Sequence, residues 1–402
     1  MRSSALSTQH LALPLLLLAF WLGLNSLIGD SPTMDEQNHL ARGAAYALTA
    51  DPRLSVEHPP LINGLSGLMM HLVPEVRLPT DQPSWAREPI EIFWYVFADQ
   101  FLWDYNRHQV SLLIFLGRLP ILWLTLLLGT AVYTSAQRLW GGRAGLLALA
   151  VLLFDPNIMA HGRLITTDLG GTATAFVATM CLWWQWQRPT NTTGSRDWWR
   201  GVLWLAIPLG LAFTSKLLTL LFVFIWSAMA FLNPAGSLSP RRSGFGRLLQ
   251  LWLAGFCSIA VVWLVFGLEW GPFLFLDERL SWLNAYVGPM PTFWSGIERI
   301  LLISGGGRAT FLLGQFSDNG FWHYFPVAWL VKTPLPTLLA WPLAAILLLR
   351  NQEMRGRALF LLAPPLLYFL LSLTSALNIG YRHLLPMLPF VAVLVGDWEA
   401  GS

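Results

Sequence analysis

Two adjacent carboxylates, Asp35 and Glu36, follow a long apolar run and open the segment DEQNHLARGAAYAL. Within it Glu36, His39, Gly43 and Ala47 fall at helical spacing, which puts Asp35 near a helix start, where a carboxylate caps well. Glu57-His58-Pro59-Pro60-Leu61 comes next. Its two prolines remove backbone donors and fix φ, giving a rigid extended entry into an apolar segment. A third polar element, DPNIMAHGRLITTD at 155–168, carries Asp155, His161, Arg163 and Asp168 between two apolar runs. The chain's two lysines stand alone, Lys216 ending GLAFTSK and Lys332 within YFPVAWLVKTPLP, and Arg382-His383 sits in LNIGYRHLLP. Isolated cations at helix ends can simply snorkel to headgroups. Three of them on one side point instead to a shared anionic partner, most simply a lipid phosphate met by charge-assisted hydrogen bonds. An Arg163–Asp168 structural pair is the plain alternative for the third element.

The elements that position these residues are membrane helices. Of 402 residues, 55% are hydrophobic and 12% charged, about half the charged share of a soluble domain. Mean hydropathy is +0.52. Twenty-two Trp and 24 Phe suit interfacial anchoring. Ten apolar stretches read as spans: 11–29, 112–137, 144–161, 167–187, 201–215, 217–233, 249–268, 326–349, 358–376 and 384–396. The first lacks a small-residue cleavage site and reads as a helix rather than a signal peptide. Cys181 and Cys257 lie in apolar runs and read as small apolar residues. Net charge is +3 without a basic tail, which excludes a nucleic-acid partner.

Alternate short loops carry eleven arginines, among them Arg138, Arg196, Arg241, Arg242 and Arg355, against Asp197 and Glu353. The positive-inside rule then places the amino terminus in the cytoplasm and the two long loops, 30–111 and 269–325, outside. All acids except Asp197, Glu353, Asp397 and Glu399, and all histidines except His10, fall on that outer side. Ionisable groups at membrane depth cost about 2.5–3.5 kcal/mol each and are usually functional or paired. The expected fold is therefore all-α: one polytopic helical bundle over 1–402 with interfacial helices in both long loops. Gly305-Gly306-Gly307 would supply a flexible hinge in the second loop, which would act as a lid.

In its order of motifs (Asp35-Glu36, the HPPL at 58–61, GRLITTD, GLAFTSK, YFPVAWLVKTPLP, LNIGYRHLLP) the chain resembles the GT-C membrane glycosyltransferases. It is closest to the protein O-mannosyltransferase-like group and also similar to the lipid A aminoarabinose transferases. The resemblance implies transfer of a sugar from a polyprenyl-phosphate-linked donor to a protein, lipid or glycan acceptor on the outer face of the cell membrane. It implies Asp35 as catalytic base, with Glu36 and Asp168 in the same cavity. Lys216, Lys332 and Arg382, backed by Arg42 and Arg163, become candidates for the donor phosphate, and Glu57, His58, His383 and Tyr324 for other substrate contacts. Members of the family often continue into further helices or an outer soluble domain, where part of the acceptor choice is expected to reside.

One carboxylate suffices to take the acceptor's proton, and the lipid phosphate leaves as a stable anion met by cations. That inventory implies inversion. A retaining route would require a second carboxylate as nucleophile, a role open to Glu57 or Asp168. No cofactor is demanded; a divalent metal among Asp35, Glu36, His58 and Asp168 stays open, because no tight ligand spacing calls for one. The competing class is a transporter or flippase, for which ionisable residues deep in several spans and internal repeats would be expected.

Overall fold

A computed structural model describes residues 2–87, 92–188, 195–232, 243–306 and 309–397; Arg241, Arg242, Gly307 and Glu399 lie outside this set. The chain is mostly helical. Two short antiparallel hairpins, Trp270–Pro272 with Val287–Pro289 and Thr310–Leu312 with Gln315–Ser317, add strand to the second long loop where only helices were expected. The amphipathic segment between them does form a helix, Pro291–Gly306, so Gly305 and Gly306 close a helix rather than make a free hinge.

Among the described residues, three helices are long and apolar enough to cross a membrane: His10–Gly29, Arg107–Trp140 and Gly244–Val265. A fourth qualifies only if Tyr324–Lys332 and Leu335–Arg350 count as one span. The expected ten is therefore not the number these criteria give. The run at 326–349 is not a straight span, because its two helices meet at 108°. Thr333 adopts extended backbone, φ −80° and ψ 133°, as a residue before proline prefers, and Pro334 supplies no amide to carry the first helix on. The 144–161 run is likewise broken, into Gly142–Leu153 and Pro156–His161. Asp155 caps the second piece, accepting the amides of Asn157 and Ile158 at 2.8 and 3.3 Å.

A large apolar core ties the later helices together, with Trp226, Phe176 and Phe390 fully buried. A second core sits in the first long loop around Phe97, Phe101 and Leu40, so this loop is a folded cap. Its helices Met34–Thr49 and Pro60–Leu68 cross with backbones in contact: a Cβ on Gly43 would stand 1.9 Å from the Asn63 carbonyl oxygen, and one on Gly67 would stand 1.9 Å from that of Gly43. Only glycine fits at this crossing. Thr33, not Asp35, caps the first of these helices, in a capping box with Glu36.

Glu36 and Arg118 are both fully buried. The guanidinium grips the carboxylate with Nε at 2.7 Å and Nη2 at 2.8 Å, and it also donates to the carbonyls of Leu27, Asp30 and Ser31. Glu36 in turn accepts the amides of Thr33 and Ile165. Three segments distant in sequence, 27–36, Arg118 and Ile165, meet on this pair. Although burial works against it, the hydrogen bond from Arg118 holds the Glu36 carboxyl below its usual pKa. Arg118→Met leaves that carboxylate buried without its partner and should destabilise the fold by about 3–5 kcal/mol, read as a lower unfolding temperature in detergent. Adding Glu36→Leu should recover much of the loss, since replacing both partners is far cheaper than stranding one.

Candidate active site

Where the two long loops meet the bundle, a cavity of about 350 Å³ collects most of the polar residues singled out above. Its polar wall holds Asp35, His39, Glu57, His58, Tyr95, Thr167, Asp168, Lys216, Arg382 and His383. Apolar residues complete the lining, among them Leu217, Leu218, Leu221, Ile300, Ile303 and Leu371. The Pro291–Gly306 helix contributes Ile300, Ile303 and Ser304, so the second long loop covers one side.

Two ion pairs organise the cavity. Asp35 is paired with Arg382, its side chain 47% exposed. Asp168, only 7% exposed, is paired with Lys216. Asp168 opens the Asp168–Gln187 helix, whose dipole favours a carboxylate there. Lys216 lies between the Ser195–Ser215 helix and a 3-10 turn, with φ −159° and ψ 130°. Thr219 fixes that break, its hydroxyl donating to the carbonyls of Ala212 and Lys216, each at 2.7 Å. Gly171 leaves room for the lysine stem, since a Cβ there would come within 2.9 Å of it. Arg382 follows Gly380, whose φ of +108° is costly for any residue with a side chain. Its neighbour Tyr381 is stacked on Trp329 and hydrogen-bonded to the Thr333 hydroxyl at 2.9 Å. The broken span at Pro334 thus supports Arg382 from behind.

The first loop supplies the histidines. His39 Nδ1 lies 3.0 Å from Asn63 Oδ1, and its ring meets that of His58 edge-on with centroids 4.5 Å apart. His58 Nδ1 lies 3.2 Å from the Thr167 hydroxyl. Burial first, and then the charge of Arg42, lowers the His39 pKa to about 4. Burial, helped by His39 and Arg42, also holds His58 well below its ordinary value. Both rings are neutral at neutral pH. Glu57 lies between two guanidiniums, Arg299 at 3.1 Å and Arg42 at 3.6 Å, both close to the Trp94 ring.

Several expected site residues lie elsewhere. Glu36 does not line the cavity, being sealed against Arg118. Arg163 is paired with Asp30 rather than Asp168, and lines a separate pocket of about 180 Å³. Arg42 sits behind Glu57, 3% exposed. Lys332 is exposed at the end of its helix, and neither it nor Tyr324 lines the cavity. Among the described residues no three His, Cys, Asp or Glu side chains converge as metal ligands. Sequence reading passed over Arg118, although a lone arginine in the apolar run LLIFLGRLPILWL is the signal that betrays a buried partner. Arg299, Asn63, Thr167 and Tyr95 carried no such signal, because their roles follow only from contacts between distant segments.

A family model described as dolichyl-phosphate-mannose-protein mannosyltransferase matches residues 79–272. No curated protein matches the sequence. Among solved structures, ArnT from Cupriavidus metallidurans bound to undecaprenyl phosphate superposes with a TM-score of 0.62 at 16% identity, over 96% of this chain and 59% of that one. This is the GT-C fold. The Archaeoglobus fulgidus oligosaccharyltransferase shares it, with a TM-score of 0.55 at 11% identity over 96% of this chain and 50% of that one. The chain described here thus spans little more than half the length of these neighbours, and its long apolar helices are those of a membrane protein.

The neutral histidines give the site a pH signature. With the His39 pKa at about 4 in the fold against 6.5 for a free histidine, its contribution to stability is complete above pH 6.5 and is lost as pH falls toward 4. The unfolding temperature should therefore drop across that window, and drop less in His39→Asn. An equally steep fall in the variant would place the acid sensitivity elsewhere.

Proposed function

We propose that this protein is a membrane glycosyltransferase that moves a sugar from a polyprenyl-phosphate-linked donor to an acceptor hydroxyl, with inversion. The observation that carries the reading is the single cavity in which a half-exposed carboxylate, Asp35, faces Arg382 beside the Asp168–Lys216 pair. The undecaprenyl phosphate named with the ArnT neighbour and the dolichyl-phosphate-mannose of the matching family model support the donor class. The donor is mannosyl-like, and the acceptor is a protein, lipid or glycan hydroxyl. The amino terminus is cytoplasmic and the cavity opens on the external face. Further, shorter apolar helices such as Leu217–Phe231 and Tyr381–Val395 bring the bundle to about ten spans. Residues 30–111 form the catalytic loop and 269–325 its cover.

In this mechanism the acceptor oxygen attacks the anomeric carbon as its proton passes to an Asp35 oxygen. The bond from that carbon to the phosphate oxygen breaks, and its electron pair stays on the lipid phosphate. Arg382 and Lys216 meet the charge that grows there. The resting pair between Asp35 and Arg382 gives the donor a second task. An arriving phosphate competes for the guanidinium, and Asp35 is released to act as base. Asp168 keeps Lys216 aimed at the cavity, Glu57, His58 and His383 line the acceptor side, and the leucines and isoleucines of the lining receive the isoprenoid. The position of Lys332, Tyr324 and Arg163 outside the cavity favours Lys216 and Arg382 as the phosphate ligands. Arg42 holds Glu57 in place.

Asp35→Asn should lower transfer from a radiolabelled polyprenyl-phosphate sugar by about 10²–10⁴-fold, the usual share of a general base. Donor binding should tighten in the same variant, because Arg382 loses its competitor. Lys216→Ala should weaken donor binding instead. Full activity in Asp35→Asn would eliminate it as the base, and unchanged donor affinity in Lys216→Ala would remove the lysine from the phosphate site.

A further inference from the structure

At the opposite end of the bundle lies a larger cavity, about 670 Å³, lined by Arg138, Arg355 and Arg357 together with Trp183, Trp184 and Gln187. Glu353 is the one acid in its wall. The two cavities sit at opposite ends of shared helices. Asp168 opens and Gln187 ends one 20-residue helix, and each lines a different cavity. At 1.5 Å per residue they stand about 30 Å apart, the thickness of a bilayer's hydrocarbon core.

Arginines at this end satisfy the charge rule for membrane topology wherever they point. That rule accounts for their number and says nothing about convergence. Here three are gathered on one concavity, and two of them are held against aromatic rings. Arg138 lies over Trp184 at 4.9 Å, and Arg357 near Trp140 at 5.8 Å. Arg357 also donates to the Leu139 carbonyl at 2.6 Å. Among the described residues none of the three makes an ion pair with a protein carboxylate. The first turn of the Arg355–Ser372 helix opens into the same space without a side-chain cap, so its amides add to the positive field. From the cavity an exposed apolar stripe runs along this helix through Leu359, Leu366 and Leu370. Their spacing of seven and four residues keeps them on one face.

We infer that this cavity binds the phosphodiester headgroup of an anionic bilayer phospholipid, with the arginines on the phosphate and an acyl chain along the leucine stripe. Basic pockets between helix ends are suited to such headgroups, and planar guanidiniums pair bidentately with phosphate oxygens. The apolar stripe leading away from the charge distinguishes a lipid from a free phosphate ion, which has no use for it. The inference rests on the membrane fold and is independent of the reaction assigned to the other cavity.

The test uses the full chain in phosphatidylcholine nanodiscs titrated with phosphatidylglycerol, read by thermal shift and by lipid retention in native mass spectrometry. Each arginine is worth about fivefold in affinity, so Arg138→Gln/Arg355→Gln/Arg357→Gln should weaken phosphatidylglycerol binding on the order of a hundredfold. The control Arg196→Gln/Arg200→Gln/Arg350→Gln removes the same charge from the same end, outside the cavity, and should bind within a few-fold of wild type. Should the first triple fail to fold, Arg355→Gln alone should cost about fivefold. Equal weakening in both triples, or none in either, would overturn the site. Stabilisation by inorganic phosphate equal to that by phosphatidylglycerol would overturn the lipid as its occupant.

Discussion

The buried pair of Glu36 and Arg118 is the constraint on which the rest of this molecule depends. A charged side chain in an apolar span is costly, and Arg118 is tolerated because its donors meet Glu36 and the carbonyls of Leu27, Asp30 and Ser31. The pair anchors the start of the Met34–Thr49 helix to two spans and to the strand of chain before Asp168. Asp35 then has little freedom: it is the next residue along from a fixed one, and the only remaining direction of consequence is toward Arg382. Position at the candidate site is thus set by a contact that takes no part in it.

The two adjacent carboxylates divide into a sealed half and an exposed half. Burial and a full set of donors keep Glu36 ionised and inaccessible, while Asp35 stays half exposed with one partner. A dipeptide of like residues gives no clue to this division, because helical geometry alone points successive side chains about 100° apart. The same logic applies to Asp168, whose sequence neighbour Arg163 suggested a local pair. Arg163 is drawn away to Asp30, and Lys216 reaches in from another helix.

What could be read from the sequence was what composition and local chemistry carry: helices, charge asymmetry, the HPPL entry, and the clustering of Asp35, His58, Asp168, Lys216 and Arg382. Pro334 carried the break in its span just as openly, yet hydropathy across 326–349 masked it. Length and hydropathy alone leave the count of about ten spans unconfirmed for a related reason. Helices such as Asp168–Gln187 bury Thr172, Thr179 and Gln185, and those polar positions dilute hydropathy where helices face one another rather than lipid. Arg299 and Asn63 stayed hidden because each acquires meaning only from a partner, and a partner far along the chain leaves no local trace.

The pair between Asp35 and Arg382 joins residues 347 apart. During synthesis, at roughly 5–20 residues per second, Asp35 is placed tens of seconds before its partner exists. Until the segment that carries Arg382 emerges it is a carboxylate without its guanidinium, beside half a cavity. The contact is thereby withheld from the nascent chain: it can form only when nearly all of this sequence has been delivered.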